Sequence, residues 1–262
     1  MSGTRIPVYQ VDAFASRVFT GNPAAVCPLE KWLPDEQMQA IAAENNLAET
    51  AFFVKNGEGY HLRWFTPTVE VDLCGHATLA SGYVIMNHLT PSAKSVQFST
   101  QSGKLIVTRD GDLLSLDFPT RAPLECKVDP GLIPGLGGRP ETVLAAREYL
   151  VVYGTEEEVR SLTPDMDRLA KVDHFAVIAT APGKDVDFIS RFFAPKQGIP
   201  EDPVTGSAHC TLIPYWSKRL GKKKLHAYQA SPRGGIVRIR IAGDRVFLGG
   251  TAVTVVRGEL VS

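Results

Sequence analysis

The hydrophobic pattern changes period several times along the chain, and each change predicts an element. Residues 6–14 read as a first strand, followed by the turn signal Gly21-Asn22-Pro23 and a short apolar run over 24–27. Over 34–45 the apolar residues Met38, Ile41 and Ala42 recur at helical spacing. Pro34, Asp35 and Glu36 supply a helix start and Asn45-Asn46 a stop. Residues 50–54 and 60–65 read as strands. The stretch 75–89 is apolar nearly all round (Ala77, Leu79, Ala80, Tyr83, Val84, Ile85, Met86), which predicts a helix buried on every side. A second helix is predicted over 206–220, with Gly221 as its stop; Pro214 inside it predicts a kink or an early break. Strict alternation follows each helix. Leu114, Leu116 and Phe118 interleave with Ser115 and Asp117, and Val237, Ile239 and Ile241 with Arg238 and Arg240. Asp110-Gly111 and Gly243-Asp244 mark the turns. Residues 119–140, rich in Pro and Gly, read as a linker.

The order of these elements is duplicated. RWFTP begins at Arg63 and RFFAP at Arg191, an offset of 128; Gly75-His76-Ala77 and Gly206-Ser207-Ala208 are offset by 131. The alternating strands open at Gly103 and Gly235, an offset of 132, and half of the 262 residues is 131. Two copies make a duplication rather than a stacked array. The expected architecture is α+β: two similar halves, 1–120 and 121–262, each a curved sheet around one buried helix, with the extreme C-terminus packing back on the first half.

Composition narrows the function. Lys+Arg and Asp+Glu are both 28, so net charge is zero and nothing points to nucleic acid. The basic run over 218–224 reads as cations at a helix C-terminus. No stretch reaches membrane-spanning length and the N-terminus has no apolar leader core, so no membrane partner is expected. Cys27, Cys74, Cys126 and Cys210 show no paired spacing, which argues for reduced thiols in a cytoplasmic protein. The histidines lack a zinc pattern, and there is no phosphate-binding glycine loop; neither metal nor cofactor is expected.

Four segments carry candidate chemistry. In Asn46-Leu47-Ala48-Glu49-Thr50, Glu49 stands between a helix end and a strand, where position alone favours a solvated carboxylate. In Asp72-Leu73-Cys74-Gly75-His76-Ala77-Thr78 a strand-to-helix junction frees the first helix amides to hold an anion. His76 there reads equally as a titrating group or a helix-cap residue. Cys74 reads as an activated thiol or a small buried hydrophobe, the second being favoured. Glu201 to Ala208 repeats the junction with carboxylates, including Asp202, and with Ser207. Gly21-Asn22-Pro23 alone is only a turn. Two helix starts serving one anionic molecule, with a glutamate beside them, suit proton transfer without a metal or cofactor.

Taken together, VDAFASRVFTGNPAAV, NLAETAF, RWFTPTVEVDLCGHATLASGYV, RFFAPKQGIPEDPVTGSAHCTLIPYW and HAYQASPRGGIVRIRI resemble the PhzF-like isomerase family over nearly the whole chain. The resemblance implies a diaminopimelate-epimerase-like fold: two pseudo-symmetric halves, each a mostly antiparallel, barrel-like sheet around a central helix. It further implies a homodimer and a small carboxylate-bearing substrate. Glu49 takes the place of the residue that moves a proton. His76 and Asp202 join it as catalytic candidates, and Asn22, Gly75, His76, Ala77, Gly206, Ser207 and Ala208 as substrate-binding ones. Related epimerases carry a thiol at each helix start. Here Cys74 stands at the first and Thr205 at the second. Two further readings stay open: a Cys74-dependent racemase or epimerase, and a non-catalytic binding member of the family.

Overall fold

The computed structural model describes residues 5–261. Two compact units divide the chain: Met1–Asp117 with Gly249–Ser262, and Phe118–Leu248. The second half read from sequence as 121–262 carries the expectation that its extreme C-terminus packs back on the first half. Its last strand pairs with the first strand of the chain and belongs to the first unit.

The first unit contains strands β1 (Arg5–Ala13) and β2 (Asn22–Leu29), helix α1 (Asp35–Asn45), then β3 (Glu49–Asn56), β4 (Gly59–Phe65) and β5 (Glu70–Val71). Helix α2 (Gly75–Val84) leads through one π turn, Ile85–Leu89, to β6 (Ser95–Thr100), β7 (Gly103–Asp110) and β8 (Leu113–Pro119). The second unit carries β9 (Leu124–Glu125), α3 (Leu132–Leu136), β10 (Thr142–Ala145), β11 (Tyr149–Val152), α4 (Glu156–Ser161), α5 (Met166–Leu169), β12 (Val177–Pro182) and β13 (Phe188–Phe193). Then come α6 (Gly206–Leu220), β14 (Lys224–Gln229), β15 (Gly235–Ala242) and β16 (Arg245–Gly250), and β17 (Ala252–Val261) returns to the first unit.

Strand pairing repeats between the units. In the first, β2 is parallel to β3, β3 antiparallel to β4, β4 parallel to β6 and β6 antiparallel to β7. In the second, β11, β12, β13, β14 and β15 follow the same alternation. Each unit has its own core. Ile6, Met38, Phe52 and Phe65 pack together in the first; Leu132, Leu136, Tyr149, Tyr153 and Phe193 in the second.

Every residue of α2 except Tyr83 is buried, as its uniform apolarity predicts. Gly82 is needed there, because a Cβ would lie 2.7 Å from the Val107 side chain of β7. Helix α6 is buried over its first turns and at Trp216, and emerges over Lys218–Leu220, ending at Gly221 with φ 66°. The expected break at Pro214 does not occur. Proline leaves the carbonyl four residues back without its helical donor, and that carbonyl, of Cys210, accepts instead from the Arg121 N–H at 2.8 Å.

The segment 119–140 is not a linker. It supplies β9, paired with β10, and α3, whose Leu132 and Leu136 are fully buried one turn apart. Pro and Gly obscured this short amphipathic turn in the sequence pattern.

Candidate active site

In the first unit three elements deliver side chains to one point. Gly21 turns the chain at φ 67° into β2, and no other residue fits, since a Cβ would lie 2.2 Å from the Ala13 carbonyl oxygen. Asn22 thereby starts β2 fully buried. Helix α1 closes with Asn46 in the left-handed region, and the chain re-enters the sheet at Glu49, which stands opposite Ala24 of β2. Cys74 is the extended residue before α2, and His76 lies in the first turn.

Their contacts form a chain. His76 Nδ1 is 3.2 Å from the Asn22 side-chain nitrogen and 3.5 Å from Cys74 Sγ. His76 Nε2 is 3.1 Å from Glu49 Oε2, a close ion-pair contact that lacks the alignment of a hydrogen bond. A neutral His76 that accepts from the Asn22 amide at Nδ1 carries its proton on Nε2, facing Glu49; a charged His76 donates from both nitrogens, and the Asn22 amide then presents its oxygen. Only 5% of the His76 side chain and 13% of the Glu49 side chain are exposed. Glu49 is thus not a solvated loop carboxylate, and His76 binds side chains rather than capping backbone.

Electrostatics act on Cys74 and His76 differently. Burial, then the charge of Glu49, pushes the Cys74 thiol up to about 11, against smaller opposing pulls from His76 and the Ala77 N–H. It is therefore a thiol at neutral pH. Burial alone would lower His76, but Cys74 and Glu49 beside it outweigh burial and hold it well above the ordinary histidine value.

The second unit presents the duplicated junction. Thr205 precedes α6 in the same extended conformation and at the same place as Cys74 before α2. Neither residue's side chain caps its helix. The Thr205 hydroxyl instead donates to the Asp202 carboxylate, and its N–H donates to Gln229 Oε1 at 2.8 Å. Gln229 in turn donates to the Asp202 carbonyl at 2.7 Å. Asp202 is 8% exposed, while Ser207 in the first turn of α6 is half-buried. Gly75 and Ala77, like Gly206 and Ala208, are buried first-turn residues of the two helices.

Gln229 was not singled out from sequence. Nothing in HAYQASP distinguishes it; only the parallel pairing of β13 with β14 brings it to the α6 start. A second missed feature was legible. Arg63 and Glu70, and Arg191 and Glu201, form equivalent paired contacts of 2.7–2.9 Å, and the two glutamates keep the 131-residue offset of the junction glycines. These bidentate pairs tie the segment leading into each helix start to the strand before it, β4 through Arg63 and β13 through Arg191.

Comparison with known proteins agrees with this duplicated build. The profile of the family described as phenazine biosynthesis-like protein, PhzC-PhzF, matches residues 11–258. An uncharacterized isomerase of Pseudomonas aeruginosa is 49% identical over 255 residues, covering 97% of this chain and 98% of that protein. A crystal structure of a phenazine biosynthesis protein, PhzF family, from Enterococcus faecalis superposes with a TM-score of 0.96 at 49% identity, covering 98% of this chain and 99% of that one. A hydroxyproline epimerase from Agrobacterium vitis shares the fold, with a TM-score of 0.59 at 10% identity over 98% of this chain and 92% of that one. Among the described residues no helix is long and apolar enough to cross a membrane. Two units with one strand order, a helix in each, and close relatives matched from end to end lead to one conclusion: this chain belongs to the PhzC-PhzF, phenazine biosynthesis-like family, and is an isomerase of that kind.

Proposed function

We propose that the protein moves a proton within a small carboxylate-bearing molecule, with Glu49 first taking the proton and then returning it. The observation that carries this reading is the nearly buried Glu49 carboxylate set against His76, 3.1 Å from Nε2. A base withdrawn from water and held by a positioned imidazole suits general acid–base work. His76, held well above the ordinary histidine value, supplies positive charge beside an anionic substrate or enolate. The uncapped starts of α2 and α6 present first-turn amides suited to carboxylate oxygens. The same resemblance gives substrate-binding roles to Asn22, Gly75 and Ala77 in the first unit and to Asp202, Gly206, Ser207 and Ala208 in the second. Asp202 also assists proton transfer.

A Cys74-centred mechanism is less well supported. Its thiol is pushed up to about 11, and the position matching it before α6 is Thr205, so no second thiol is paired with it.

The test follows solvent deuterium into a panel of amino-acid and cyclic carboxylates by mass spectrometry. Glu49→Gln should lower exchange by roughly 10²–10⁴-fold, whereas Cys74→Ala should change it only modestly. Exchange that persists in Glu49→Gln overturns the assignment. The same resemblance assigns a cytoplasmic homodimer, for which light scattering on the purified protein gives the mass.

A further inference from the structure

Past the C-terminal end of α2 lies a cavity of about 400 Å³, lined by residues of the first unit. That volume falls in the range of small-molecule sites, roughly 300–1,000 Å³. Asn87 on its wall is twelve residues beyond Gly75, roughly 18 Å along the helix at about 1.5 Å per residue. The cavity and the Glu49–His76 pair thus stand at opposite ends of α2. Tyr83, the one residue of α2 that is not buried, lines the cavity. Asn87 belongs to the π turn that follows, and such turns recur at functional sites.

Two charged residues on this wall have no counter-charge. The Arg109 guanidinium donates to the Met86 carbonyl at 3.3 Å and to Asn87 Oδ1, both uncharged, and makes no ion pair among the described residues. Asp112, in the turn between β7 and β8, has no side-chain hydrogen bond or ion pair among them. The two line one cavity without pairing with each other. Water can serve either charge by itself; opposite charges lining one cavity select a ligand that carries both. Ala15 and Val253 add apolar wall, and Tyr83 an aromatic one.

We propose that this cavity binds a free α-amino acid with a short aliphatic side chain. Arg109 takes its carboxylate, Asp112 its ammonium group, and Ala15, Val253 and the Tyr83 ring its side chain. A bare anion meets repulsion from Asp112 and a bare cation repulsion from Arg109, so neither is matched as a zwitterion is. The proposal rests on no role of Glu49.

L-Valine is the probe, titrated calorimetrically into the full-length protein. Its two single-charge halves, 3-methylbutanoate and isobutylamine, are titrated alongside. The expected result is saturable binding of one valine that survives Glu49→Gln, with each half weaker by roughly tenfold or more, the usual loss for one charged hydrogen-bonding group. Arg109→Gln and Asp112→Asn should each weaken valine by a similar factor. Asparagine suits a turn, so Asp112→Asn tests the site even where Arg109→Gln does not fold. No saturable valine binding overturns the proposal, as does binding that Asp112→Asn leaves unchanged or 3-methylbutanoate that binds as tightly as valine. Valine binding lost in Glu49→Gln would assign the ligand to the candidate active site and likewise overturn this one.

Discussion

At the scale of single residues, the duplication is functional grammar as well as ancestry. Thr78 and His209 are offset by 131 and do the same job, each donating to the carbonyl of the residue before its helix, Cys74 or Thr205. His209 makes that bond through Nδ1 at 2.7 Å, which leaves Nε2 as the unprotonated nitrogen. Burial lowers its pKa to about 4, against a smaller upward pull from the Thr205 carbonyl. The folded state therefore resists protonation that the unfolded chain accepts below pH 6.5. The stability linked to His209 is complete above pH 6.5 and is lost as pH falls toward 4, an effect of about 3 kcal/mol. Urea unfolding at pH 7, 5 and 4 should show the wild type losing that much more than His209→Gln, which keeps a donor for the Thr205 carbonyl. Parallel stability–pH curves for the two proteins would refute the linkage.

At the scale of elements, α6 shows how one helix tolerates a proline. A proline inside a helix costs about 3 kcal/mol or more, from the missing N–H and the ring's clash with the preceding turn. Here the Cys210 carbonyl is already satisfied by Arg121, so restoring an N–H at position 214 adds a competing donor rather than a missing one. Pro214→Ala should accordingly raise stability by less than about 1 kcal/mol, measured by chemical denaturation. A gain near 3 kcal/mol would mean the Arg121 contact does not compensate. The helix is further held by Trp216, stacked on Phe188 at 5.4 Å with its Nε1 donating to Thr180. That ring is fully buried, which anchors the emerging half of α6 to the sheet beneath it.

At the scale of the whole molecule, the first unit is discontinuous in sequence. β17 pairs antiparallel with β1 from Arg5↔Val261 to Ala13↔Ala252, while β2 takes the other edge of β1. Deleting residues 252–262 would leave β1 an open edge strand with unpaired backbone groups. Hydrogen exchange on the truncated protein should show amides over 5–13 losing protection, while those over 177–182 and 188–193 in the second unit keep theirs. Unchanged protection over 5–13 would mean that β17 contributes nothing to the first unit. The domain-level division thus depends on a pairing between chain ends, not on a boundary in the middle.

Much of this was legible in the chain itself. Periodicity located α1, α2, α6 and the alternating strands, because a helix or strand with one buried face writes its own period into the sequence. The duplication was readable because equal junctions need equal local geometry: an extended residue, then a helix start, at a constant offset of 131. The resemblance carried by NLAET, CGHAT and EDPVTGSA was enough to name the family before any coordinates. Tertiary structure alone decided the rest. Glu49 and His76 are 27 residues apart, and whether the carboxylate faced water or the imidazole depended on β3 lying parallel beside β2. The compensation of Pro214 by Arg121 and the bond from the Thr205 N–H to Gln229 are likewise contacts between distant segments, and so is the residue-by-residue register of β17 on β1. Local pattern encodes which face of an element is buried; which partner buries it is settled only when the chain packs, and the chemistry of this site belongs to that second step.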